Sequence, residues 1–174
     1  YPPTIQPSLR KGIPIRIKNT FEPENEGTLI SFNPNNKHEV KGISHIDDIS
    51  LITLEGGGMI GIPGFSKRLF ETLSVAEINV VFITQASSEH SICVGVYEND
   101  AEKAKELLDK TFSIEINRKK IKPIILENNL AIIAVVGESM KNYQGLSGQM
   151  FSALGRNNVN VRAIAQGSSE KNIS

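Results

Sequence analysis

Gln85 and Gln166 lie 81 residues apart, and each is followed by a small residue, two serines and a glutamate. A glutamine amide carries two donors and a carbonyl acceptor, which suits the ammonium, carboxylate or hydroxyl of a small polar ligand. Backbone N–H groups in the glycine turns at 56–61 and 137–145 would complete such a site. Ser87, Ser88 and Glu89 serve equally well as ordinary soluble turn residues.

Other chemistries find less support. Gly145-Leu146-Ser147-Gly148-Gln149 lacks the second glycine of a nucleophile elbow. His38, His45 and His90 have no acid at triad spacing, and Cys93 falls mid-strand as a small core residue. A single cysteine also excludes a disulfide scaffold or a cysteine-rich zinc site. No residue is assigned a catalytic or metal-binding role. Gly56-Gly57-Gly58 lacks the Gly-Lys-Ser/Thr ending of a phosphate loop. Only Gly137 persists in the second copy, so one glycine per turn reads as a positive-φ position.

An internal repeat positions these residues. Residues 51–93 laid over 132–174 without gaps share 15 identities in 43 positions, among them Gly64/Gly145, Asn79/Asn160 and the Ile-x-Gln stretches. A match of that length marks two copies of one unit.

Periodicity assigns the elements of the unit. A strand over 49–54 stops at the glycines. Phe65, Leu69, Phe70 and Leu73 at helical spacing predict a helix of about three turns. Strands follow over 80–84 and 91–97. Asn99 or Asp100 is placed to cap a helix carrying Ala101, Ala104, Leu107 and Leu108 on one face. A last strand is expected within 111–126, at an edge because of Pro123. The β-α-β-β-α-β order is α+β and ferredoxin-like: an antiparallel sheet with two helices on one face.

The second copy opens with a strand over 130–136, then a helix with Leu146, Met150, Phe151 and Leu154, then a strand over 159–165. Residues 40–46 are available as its outer strand, so the first copy is expected to be inserted into the second. The boundaries that follow are 37–47 and 128–174 for the second, truncated module, and 48–127 for the first. Residues 1–36 belong to something else, with a strand over 13–17, its partner over 27–30 and a linker over 32–38.

Lys+Arg and Asp+Glu are equal at 19 each, so no net field draws the chain to nucleic acid or anionic lipid. The longest apolar run, 130–136, is too short for a membrane span. With no basic-then-apolar leader the expected location is cytoplasmic. The chain opens without methionine and stops inside a strand, as a piece of a longer polypeptide would.

The runs Ile83-Thr84-Gln85-Ala86-Ser87-Ser88-Glu89 and Ile164-Ala165-Gln166-Gly167-Ser168-Ser169-Glu170 resemble the paired ACT modules of aspartokinases. Pro3-Thr4-Ile5-x-Pro7 and Ile13-Pro14-Ile15-x-Ile17-Lys18-Asn19-Thr20 resemble the last part of the catalytic domain in the same family. The likeness is strongest to the threonine-sensitive enzymes fused to homoserine dehydrogenase.

The resemblance implies a parent kinase that phosphorylates the β-carboxylate of aspartate in lysine, threonine and methionine biosynthesis. ATP and Mg would sit in the kinase domain and NADP in a fused dehydrogenase, with no cofactor in this stretch. It also implies that the ACT pair binds an end-product amino acid and associates as at least a homodimer. The effector contacts carried over are Ile83, Gln85, Ile164 and Gln166. The walls are Asn79, Asn160 and the turns with Met59, Gly61, Gly64, Met140 and Gly145. Threonine is the expected effector, because Val81 and Arg162 stand where lysine-sensing relatives place an acid. The alternatives are a lysine-sensing monofunctional aspartokinase and a ligand-free dimerisation module.

Overall fold

A computed structural model describes residues 2–31, 40–85, 90–137, 144–166 and 172–173. The chain divides into two compact units, Tyr1–His38 and Glu39–Ser174. The first holds helix α1 (Pro2–Arg10) and an antiparallel hairpin of β1 (Ile15–Ile17) and β2 (Thr28–Ile30). The hairpin falls where alternation places it. The helix was not foreseen, and its opening prolines fall in the first turn, where a missing N–H costs nothing. The linker expected over 32–38 lies outside the described residues.

The second unit is built on two long strands. β3 (Val40–Glu55) and β6 (Ile125–Gly137) pair antiparallel along most of their length. Between them come a short 3-10 turn (Gly57–Met59), helix α2 (Phe65–Val75), β4 (Val80–Gln85), β5 (Ser91–Tyr97), α3 (Glu98–Thr111) and α4 (Ser113–Asn117). Helix α5 (Leu146–Arg156) and a short β7 (Asn172–Ile173) follow. The sheet order is β4-β5-β3-β6-β7, all antiparallel.

Each long strand serves both repeats. The C-terminal half of β3 pairs with β5, as the first strand of the first repeat, while its N-terminal half pairs with residues 132–137 as the outer strand of the second. The first repeat is thus inserted into the second, as tandem ferredoxin-like modules. One face of the first module carries Ile52, Leu54, Ile92, Val94 and Val96, buried beneath α2 and α3. That core continues through Leu69, Leu73, Ala104, Leu108 and Phe112.

The two repeats match in backbone as well as sequence. α2 and α5 both run 11 residues and start 81 apart. Leu54 pairs with Ile92 as Val135 pairs with Ile173, and Gln85 with Ile92 as Gln166 with Ile173. Left-handed backbone recurs at Gly64 and Gly145 and at Glu77 and Asn158.

Four expectations need correction. The strand expected within 111–126 begins only at Ile125, and Ser113–Asn117 is helical. Phe112, Ile114 and Ile116 alternate like a strand, but Phe112 is fully buried and stacks on Phe65 with ring centroids 5.8 Å apart. Arg68 lies over the Phe112 ring at 4.5 Å and donates to Glu115 Oε1 at 2.5 Å and the Thr111 carbonyl at 2.6 Å, which ties down the helical turn. The Arg68 guanidinium holds the Glu115 carboxyl below its usual pKa, against the opposing effect of desolvation.

Helix α3 starts at Glu98 with no side-chain cap, so Asn99 and Asp100 lie inside it. Gly56 has φ 163, ordinary extended backbone. Its glycine is required by close approach instead, since a Cβ there would stand 2.4 Å from Ile121 Cα. Finally, residues 159–165 form no ladder; only Gln166 makes a bridge. In the first repeat the matching strand pairs with β5 from Ile92 to Val96, and the counterparts of most of those residues fall beyond position 174.

Candidate functional site

Gln85 ends β4 and Gln166 holds the same place in the second repeat, each opposite an isoleucine. Both are exposed, and Ile83 and Ile164 are about half exposed at 52% and 47%. Thr84 lies between Ile83 and Gln85, and its hydroxyl donates to the Ile164 carbonyl at 2.9 Å. The two Ile-x-Gln stretches are therefore joined directly. Strand alternation puts Ile83 and Gln85 on the face opposite Thr84, away from that joint.

The glycine turn comes to the same end of the sheet as Gln85. Gly56 N–H donates to the His90 carbonyl at 2.9 Å, two residues before the Ile92 that pairs with Gln85. Gly61 and Gly64 have φ of 66 and 103, and Gly64 opens α2 with no side-chain cap. Gly145 opens α5 in the same way, at φ 88. The first N–H groups of each helix have no partner within the helix and favour an anionic group such as a carboxylate.

Not every expected wall joins this cluster. Met59 is only 4% exposed and belongs to the core. Asn79 precedes β4 and so lies at the opposite end of that strand from Gln85, roughly 20 Å away at 3.3 Å per residue. Asn160 lines a cavity between the repeats, with Arg162, whose guanidinium pairs with Glu127. Met140 lies outside the described residues.

Thr84 is the residue sequence reasoning missed. Its signal was the mismatch with Ala165 inside an otherwise repeated Ile-x-Gln stretch. Among the described residues no group of three or more His, Cys, Asp or Glu side chains is arranged to hold a metal ion. No described helix is long and apolar enough to cross a membrane.

A βαββαβ unit inserted into a second, partial copy, with the first helix of each copy opened by a glycine, defines a tandem ferredoxin-like α+β fold. The ACT domain family matches residues 52–112 and 133–174, and the chain belongs to it. The two matched segments begin at the repeat spacing. Over 175 residues the chain is 42% identical to the bifunctional aspartokinase/homoserine dehydrogenase of Haemophilus influenzae, covering all of this chain and 22% of that protein. The Clostridium acetobutylicum aspartate kinase superposes with a TM-score of 0.82 at 27% identity, over 97% of this chain and 39% of that one. The regulatory subunit of aspartate kinase from Thermus flavus superposes at 0.66 and 23% identity, over 78% of this chain and 86% of that one. The chain spans about a fifth of the length of the bifunctional relatives it matches.

Proposed function

We propose that this chain is the amino-acid-sensing region of an aspartate kinase, with threonine as effector. The observation that carries the reading is the repeated placement of Gln85, at the end of β4, and Gln166, at an isolated bridge, each paired with the equivalent isoleucine. In the first repeat the glycine turn that opens α2 reaches the same end. The helix N-terminus takes the effector carboxylate. The glutamine amide takes the hydroxyl, and Ile83 or Ile164 takes the methyl. Val81 and Arg162 offer no carboxylate for a lysine ammonium, which favours the smaller effector.

The parent enzyme would transfer the γ-phosphoryl group of ATP, with Mg, to the β-carboxylate of aspartate. A fused dehydrogenase would use NADP. Those sites belong to other parts of the parent. Residues 1–36 would end its kinase domain, which accounts for Phe21 standing 94% exposed on a unit too small to cover it. Within the rest, 48–127 would be the first module, with 37–47 and 128–174 in the second. Calorimetry on the full-length protein with threonine, lysine and valine tests the reading. Threonine is expected to bind at least about tenfold tighter than valine, whose missing hydroxyl strands the amide. Tighter lysine binding overturns the effector assignment, and no heat from any of them leaves a dimerisation module.

A further inference from the structure

Arg68 lies one turn into α2, and its N–H makes the first bond within that helix, to the Gly64 carbonyl at 3.0 Å. The N–H groups of Phe65, Ser66 and Lys67 come before that bond and have no partner within the helix. These are the groups assigned to the effector carboxylate. The Arg68 side chain leaves this turn for α3 and α4. Its guanidinium forks onto Glu115, with the second bond at 3.3 Å, and also donates to the Thr111 carbonyl. It covers the Phe112 ring and lies 5.9 Å from the ring of Phe65, the first residue of α2. The two rings stack with their planes 5° apart.

The other end of the fork reaches the glycine turn. The Glu115 carbonyl accepts from the Lys120 N–H at 2.9 Å, and the Lys120 carbonyl accepts from the Gly58 N–H at 2.9 Å. Neither Gly56 nor Gly58 leaves room for a Cβ against Lys120 and Ile121, so this contact is close-packed. Two routes therefore run from Glu115 to the candidate site. One passes through its side chain to the first turn of α2, the other through its backbone to the turn just before. Gly61 and Gly64, both left-handed, lie between the two anchored points. Glycines have the most backbone freedom to lose when a loop is ordered. In the second repeat Gln149 stands at the place of Arg68 and is exposed, and Leu146 stands at the place of Phe65. A neutral amide has neither the charge nor the planar five-donor fork of a guanidinium.

We infer, on the effector reading proposed above, that Arg68 is a positioning residue of the first-repeat site. It does not touch the effector. It fixes the first turn of α2, and through Glu115 the glycine turn, in the arrangement that receives the carboxylate. A charge-assisted, bidentate and partly buried pair is suited to hold two elements in one geometry. Order present before binding does not have to be supplied by the effector, so loss of the pair lowers affinity without removing a ligand contact. The dependence is confined to the first repeat, since Gln149 cannot form the same fork.

Threonine calorimetry on the full-length protein tests this in two backgrounds. Gln166→Ala leaves the first site to be read, and Gln85→Ala the second. Arg68→Gln is expected to weaken threonine binding about tenfold in the first background and to change nothing in the second. Glu115→Gln is expected to give the same loss, and the double variant no further loss, because the two residues act as one unit. Thr72→Val is the control for stability. It removes a hydroxyl contact with Thr111, 3.0 Å away and one turn further along the same seam. Threonine binding is expected to stay as it was in that variant, whatever its melting temperature. Unchanged affinity in Arg68→Gln, where its Gln166→Ala parent binds threonine, overturns the inference alone. So does an equal loss from Thr72→Val, which would mean a general loosening of the helices. No threonine binding by the Gln166→Ala protein overturns the effector reading, and the inference with it.

Discussion

Asp48 and Asn129 are counterparts in the two repeats, and both hold left-handed backbone, at φ 57 and 58. Each lies in a bulge of the β3–β6 ladder. Asp47 and Asp48 stand opposite Ala131, and Asn128 and Asn129 stand opposite Ser50. A bulge bends its strand and raises the local twist. These two let each long strand leave one module and enter the other. Asp and Asn tolerate the left-handed region better than other non-glycine residues. Asn129→Val is expected to cost about 1–2 kcal/mol in urea unfolding, and Asn129→Gly very little.

The glutamines test the effector site. With the proposed effector enclosed against Gln85, Gln85→Ala would leave the effector hydroxyl unpaired, at about 1–3 kcal/mol. Threonine affinity in the full-length protein should fall by about ten- to a hundredfold. Gln166→Ala makes the same test of the second repeat. Unchanged titrations for both variants would place the site elsewhere.

Gly56 and Gly57 separate space from conformation. A Cβ at Gly56 meets the backbone of Lys120 and Ile121, whereas one at Gly57 meets nothing within 4 Å. Gly56→Ala is expected to destabilise by about 1–3 kcal/mol, as overpacking does. Gly57→Ala should be neutral or slightly stabilising. Thermal melts of the two variants give the comparison directly.

Glu115 gives a pH signature. Its pKa is lowered by the Arg68 hydrogen bond, so its contribution to stability is full above the unfolded value of about 4.5. That contribution is lost as pH falls through the lower folded value. Glu115→Gln should therefore reduce stability at neutral pH and flatten its decline below about 4.5. A variant that tracks the parent across the whole acid range would remove Glu115 from this role.

Self-association through the sheet edge is an expected outcome. β4 is the terminal strand of the sheet and keeps Ile83 half exposed. Open edges of this kind are usually covered in native proteins. Ile83→Lys should shift the full-length protein toward smaller species in sedimentation velocity. An unchanged distribution would leave β4 outside the interface.

The repeat was legible in the sequence because identical residues recur at one spacing without gaps. Helix α2 was equally legible, since Phe65, Leu69 and Leu73 put one apolar stripe on one face. The insertion of one repeat in the other could be argued because residues 40–46 had no role in the first copy. Ile-x-Gln stood out because it repeats where packing gives no reason for a glutamine.

Tertiary structure alone decided the rest. Phe112, Ile114 and Ile116 carry the period of a strand, yet Phe65 and Arg68, distant in sequence, draw Phe112 into the core and make the turn helical. Gly56 owes its glycine to Lys120 and Ile121, which a local reading of the turn does not contain. The bulges at Asp48 and Asn129 depend on register between strands some eighty residues apart. So does the contact from Thr84 to Ile164. Sequence periodicity reports which face a residue shows, because that depends on its near neighbours. Which surface meets that face depends on chain folded back from far away, and only the assembled sheet holds that information.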